Sequence, residues 1–94
     1  SSNLILLSLA KEYVDKKNYQ RVIETYQALL NFEPLNADVM AALAAVYAQI
    51  DDYDKAIATA RQAAEVNPAL AGETAIFIKL IQSGQIDKLK KSIE

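Results

Sequence analysis

The sequence predicts an all-α protein built from stacked helical hairpins, and three observations predict it. The interval from Pro34 to Pro68 is also the offset at which the residues before them match: Leu9 with Leu43, Ala10 with Ala44, Tyr13 with Tyr47, Tyr19 with Tyr53, Ile23 with Ile57 and Thr25 with Thr59. A fixed period in this range marks an architecture of stacked repeats. Gly and Pro occur only twice each in 94 residues, so the chain has few breakers and short connections. Finally, its apolar residues recur at i, i+3, i+4 and i+7, the spacing of one helix face.

The elements follow in order. Asn3 can cap a first helix running to about Lys16, with Leu6, Leu9, Ala10 and Tyr13 on its inner face. Lys17-Asn18 is a turn, and Asn18 can cap a second helix that carries Val22, Ile23, Tyr26, Leu29 and Leu30 inward. Pro34 stops that helix, because the residue before a proline is pushed out of helical geometry. Asn36 caps a third helix with Met40, Leu43, Ala44 and Tyr47 inward. Asp51-Asp52 is the next turn, and acidic residues favour the start of the helix that follows. Ala56, Ile57, Ala60, Ala63 and Ala64 line the inner face of that fourth helix, which Pro68 ends. A fifth helix spans about Leu70 to Gln82, with Ile76, Phe77, Leu80 and Ile81 on its broad apolar face. Ser83-Gly84 turns the chain into a sixth helix from Gln85, striped by Ile86, Leu89 and Ile93, with Lys88, Lys90 and Lys91 off the stripe. The expected organisation is a single domain, 1–94, with units 3–34, 37–68 and a degenerate 70–94.

Composition excludes several kinds of chemistry. Without cysteine there can be no disulfide or thiolate site, and the compartment stays open. Without histidine the usual general base and the commonest metal ligand are gone. The formal net charge of −2 is a poor footprint for nucleic-acid phosphates, and the three lysines near the C-terminus read as solvation. No apolar run approaches the length of a membrane span, so no direct membrane insertion is expected. Asp51, Asp52 and Asp54 cluster at a turn, where capping explains them; Glu12, Asp15, Glu24 and Glu33 fall on polar faces. No catalytic residue, cofactor or metal site is assigned. The chain does not begin with Met, which suits an excised piece of a longer protein.

These residues resemble the tetratricopeptide repeat over nearly the whole chain. In the run Ala37 to Pro68, Leu43, Ala44, Tyr47, Tyr53, Ala56, Ala63 and Pro68 stand where that family's pattern has Leu, small, aromatic, aromatic, small, small and Pro. The first unit departs from it with Val22 and Leu29 at small positions. The second departs with Ala60 at a large one, where the first has Tyr26. The resemblance implies a right-handed solenoid of helix pairs whose first helices line a concave groove for peptides or partner helices.

By that resemblance the groove would comprise Leu4, Leu7, Ser8, Lys11, Val14 and Asp15, then Asp38, Ala41, Ala42, Ala45, Ala48 and Gln49, then Thr74, Ala75, Ile78 and Gln82. One branch of the family clamps a chaperone's C-terminal carboxylate with Lys, Asn and Arg. Only Lys11 matches here, the other places holding Leu7, Ala42, Ala71 and Ala75, so that reading is rejected. The expected function is a protein-interaction module that binds a protein or peptide in its groove. The alternative is a structural spacer or oligomerisation segment of a larger protein, a bacterial membrane-anchored one among the candidates, with no separate ligand. The run Leu4-Ile5-Leu6-Leu7 is apolar on all sides of its helix, which calls for cover. Either a preceding repeat or domain supplies that cover, or the N-terminal helix docks or self-associates.

Overall fold

The computed structural model describes the backbone of residues 2–88 and the side chains of residues 4–88. Every regular element among them is helical: α1 (Ser2–Asp15), α2 (Tyr19–Phe32), α3 (Ala37–Gln49), α4 (Tyr53–Val66), a short 3-10 turn (Pro68–Leu70) and α5 (Ala71–Gln82). Residues 85–88 are helical again after a turn at 83–84. Leu89 and Ile93 of the expected C-terminal stripe, with Lys90 and Lys91, lie outside the described residues. Consecutive helices pack in pairs, α1 on α2 and α3 on α4; α2 then bridges to α3, and α4 to α5. The stack is a slab of 39 × 31 × 18 Å, its thin dimension that of two helix layers.

The period recurs in the backbone. α3 starts at Ala37 and α5 at Ala71; α2 starts at Tyr19 and α4 at Tyr53. Lys17 (φ 57°) and Asp51 (φ 64°), related by the same offset, both adopt the left-handed conformation. Each closes its helix with a paired reverse bond. Lys17 N–H donates to Val14 C=O (2.9 Å) and Asn18 N–H to Tyr13 C=O (2.8 Å); Asp51 N–H donates to Ala48 C=O (3.1 Å) and Asp52 N–H to Tyr47 C=O (2.9 Å). This is the Schellman closure, which satisfies carbonyls that a helix end leaves open. The third turn uses Gly84 (φ 79°), whose N–H donates to Ile81 C=O at 3.1 Å. That turn comes one residue early against the repeat offset, so the helix after it also starts early.

Caps at the helix starts are unequal. Asn36 Oδ1 accepts from Val39 N–H (3.1 Å), and its Nδ2 donates to Glu33 Oε2 (2.8 Å). Asp52 Oδ1 accepts from Lys55 N–H at 3.4 Å. Asn18 stands at the start of α2 but makes no side-chain cap bond. α1 begins at Ser2, which places Asn3 inside its first turn rather than at the cap.

Small residues set the core. Ala10, Ala44, Ala56, Ala60 and Ala63 are all but fully buried, together with Val22, Leu29 and Met40. Leu43, Ile23 and Tyr47 are buried as expected, while Tyr13 and Ile57 are half-buried at the core edge. Leu9 departs from expectation: it is 39% exposed, against 4% for Leu43 in the same place of the next pair. The difference is the neighbour, because α3 is covered by α2 on that side and no described element covers α1. Ile76 departs too, at 64% exposed. With α5 starting one period after α3, Ile76 takes the outward place of Ala42, and Ile81 takes the buried place of Tyr47.

Polar contacts tie the pairs together. Gln27 Nε2 on α2 donates to the Tyr47 hydroxyl oxygen at 3.2 Å, and Lys55 Nζ lies 5.8 Å from the centroid of the Tyr47 ring. The Tyr53 hydroxyl bonds Asp87 Oδ1 (2.7 Å) and Asp51 Oδ1 (3.0 Å), linking α4 to the final helical residues. The bond to Asp87, then desolvation and the bond to Asp51, push the phenol well above its ordinary value. The ion pairs Lys16–Glu12 (2.7 Å), Arg21–Glu24 (3.6 Å) and Lys55–Asp52 (3.8 Å) lie on the surface, where such pairs contribute little. The bond between Glu12 and Lys16 lowers the carboxyl and raises the amine.

Three outcomes follow from this packing. Ala44→Leu forces extra methylenes into a closed contact and lowers stability by about 1–3 kcal/mol in a denaturant melt. A left-handed conformation costs an L-residue about 1–2 kcal/mol, and glycine's extra chain entropy returns about 0.5–1 of that. Lys17→Gly therefore raises stability by about 0.5–1 kcal/mol in the same assay. The third concerns pH. A tyrosine whose folded pKa lies above its unfolded value near 10 stabilises the fold fully below that pH, and the contribution is lost as pH rises through the folded pKa. Chemical melts across alkaline pH show stability falling faster for the parent than for Tyr53→Phe.

Candidate functional site

The first helices of the pairs form one face, and it is not closed. α1 meets α3 through α2, and α3 meets α5 through α4, so a gap runs along each side of α3. Two hollows that share Tyr26 and Ala42 occupy the α1 side. One, of about 200 Å³, is lined by Leu7, Tyr26, Asn36, Asp38, Val39 and Ala42. The other, of about 280 Å³, is lined by Val14, Tyr19, Tyr26, Ala42, Ala45, Val46 and Gln49. The α5 side holds a hollow of about 170 Å³, bordered by Ala41, Ala44, Ala60, Leu70, Glu73, Thr74 and Phe77.

The expected groove residues divide among these places. Leu7, Asp38, Ala42, Ala45, Gln49 and Val14 border the hollows between α1 and α3, and Ala41 and Thr74 border the one between α3 and α5. Leu4, Ser8, Lys11 and Asp15 are exposed on α1 without lining a hollow described here. Ser8 Oγ is turned back onto its own helix, donating to Leu4 C=O at 2.9 Å. Ala48 is buried instead of open.

The α5 residues are unequally placed. Thr74 is buried, and its Oγ1 donates to Ala71 C=O at 3.2 Å. It holds the place that Met40 holds in α3, a core position. Ile78, half-buried, holds the place of Ala44. The outward residues of α5 on this face are Ala75, Ile76 and Lys79. The 3-10 turn Pro68–Leu70 sets the register of α5, because its three residues replace the irregular loop that follows Pro34.

Sequence reasoning missed the floor. Tyr19 and Tyr26 come from α2, and Phe77 and Leu70 border the second hollow. Tyr26 and Ala60 occupy the same place in successive units, and the exchange of a large residue for a small one there was the available signal. Tyr26, its hydroxyl pKa raised by burial, floors the first gap with an aromatic ring, while Ala60 floors the second with a methyl group. The site carries little charge: Asp38 and Glu73 stand at the helix starts. Among the described residues no three His, Cys, Asp or Glu side chains converge to hold a metal ion, and no helix there is long and apolar enough to cross a membrane.

Residues 37–70 match the family model of the tetratricopeptide repeat. No curated protein matches the chain. The matched segment comprises α3, the left-handed turn at Asp51, α4 and the Pro68–Leu70 turn, the unit whose backbone features recur one period earlier. With its hairpin geometry and its pattern of Leu43, Ala44, Tyr47, Tyr53, Ala56 and Pro68, the segment 37–70 is a tetratricopeptide repeat.

Proposed function

We propose that this protein-interaction module binds an apolar peptide segment or partner helix across α3, on the face shared by α1, α3 and α5. The observation that carries the reading is the pair of gaps flanking α3. Small side chains, Ala41, Ala42 and Ala45, form the ridge between them. A ligand backbone can approach such a ridge closely, while its apolar side chains enter the hollows on either side. The aromatic floor at Tyr19 and Tyr26 offers large contact area at low conformational cost. The division of 1–94 into units 3–34, 37–68 and 70–94 of a single repeat domain belongs to the same proposal.

The reading assigns no catalytic role. The acids that could act as a pair already have structural work: Asp52 caps α4, Glu33 accepts from Asn36, and Glu12 pairs with Lys16. The alternative, a spacer or oligomerisation segment, has one observation in its favour, the exposed apolar side of α1.

Panning a displayed random-peptide library against the chain tests the groove. Selected peptides lose at least tenfold in affinity, about 1.4 kcal/mol, with Ala45→Arg at an exposed place on the ridge. They are indifferent to Ala58→Arg, exposed on α4. Peptides that respond to neither substitution, or only to the second, overturn the assignment.

A further inference from the structure

Resting on the groove proposed above, we infer that the hollow on the α5 side of α3 takes a basic side chain, lysine or arginine, from the bound segment. This hollow has its own copy one period earlier, in the gap between α1 and α3. Leu7, Tyr26, Asn36 and Val39 line the earlier one, and Ala41, Ala60, Leu70 and Glu73 stand in the same four places of the later one.

Each exchange changes what the hollow accepts. Leu7 and Tyr26 present a branched chain and a ring, whereas Ala41 and Ala60 present methyl groups. Leu70 removes the amide that Asn36 supplies in the first copy. Buried Val39 gives way to Glu73, an exposed carboxylate in the first turn of α5. The acid of the first copy, Asp38, stands one place earlier, where the second has Gly72. The walls thus lose side-chain bulk and gain a charged edge.

The side-chain polar groups that remain there are acceptors. Thr74, only 8% exposed, borders the hollow and gives its hydroxyl proton to Ala71 C=O at 3.2 Å, so lone pairs are what it has left. Glu73 joins none of the ion pairs among the described residues. The first copy is mixed, because the Asn36 amide keeps a second N–H beside the one given to Glu33. An acceptor-only edge above methyl groups suits a donor carried on an apolar stem, the build of lysine and arginine. Phe77, half-buried on the same hollow, adds a ring against which a cation can lie. An apolar ligand residue covers Glu73 without giving it a partner, and an acidic one meets it with like charge.

Peptides selected on the chain provide the test. Those that lose affinity with Ala45→Arg carry lysine or arginine at one fixed place. Replacing that residue by norleucine keeps an apolar stem and drops the charge, and it weakens binding to the parent by about fivefold, the size of a partly exposed ion pair. The same replacement costs nothing against Glu73→Gln. It keeps its full cost against Asp54→Asn, which removes an exposed acid from the first turn of α4. Ala45-sensitive peptides with no fixed basic residue overturn the inference and leave the groove standing. So does a basic residue whose replacement costs as much against Glu73→Gln as against the parent. Coupling to Asp38→Asn instead overturns it too, and moves the basic residue to the α1 side. Peptides indifferent to Ala45→Arg overturn the groove itself, and the basic seat with it.

Discussion

The close approach of paired helices at alanine is the constraint on which the rest of this structure depends. Ala44 and Ala56 are buried in the most intimately packed pair, α3 and α4. An alanine at such a contact buries little area, so the pair gains its stability from what surrounds it. Leu43, Tyr47 and Val46 supply that area from one helix, and Val22 and Ile23 of the preceding pair press onto the same cluster. Once the axes are close, the turn between the helices must be tight. That forces Lys17 and Asp51 into the left-handed region and returns the chain through the Tyr13 and Tyr47 carbonyls.

The same constraint explains the trough. Pairing is tight within a hairpin, and hairpins meet through a second helix, so first helices are held apart. What fills the separation is a matter of one residue type. Tyr26 in the first gap and Ala60 in the second are equivalent in place and opposite in size. The resulting face offers the two sides of α3 different floors, an aromatic ring on one and a methyl group on the other.

Much of this was legible in the sequence, and the failures are instructive. The helices, their turns and the buried Leu43, Ile23 and Tyr47 follow from period and offset, because burial in a stack repeats wherever the neighbours repeat. Leu9 failed for the complementary reason: its residue type is that of Leu43, but its neighbour is not, and exposure belongs to the pair. Ile76 failed because the 3-10 turn at Pro68–Leu70 sets the register of α5, and one residue on a helix is a rotation of about 100°. The left-handed residues carry no signal at all, since a lysine and an aspartate stand where glycine is the usual choice. Tyr19 and Tyr26 read as core aromatics, and their part in flooring the groove requires knowing how far α1 stands from α3.

The separation of the first helices has a mechanical meaning. Each hairpin meets the next along one seam, α2 on α3 and α4 on α5, so bending of the slab falls on those two seams. Small rotations at the α2–α3 and α4–α5 seams open or shut the spaces beside α3 while leaving each hairpin's own interior undisturbed. Any change of curvature along the stack is therefore shared, as in a leaf spring, between two seams instead of being concentrated in one.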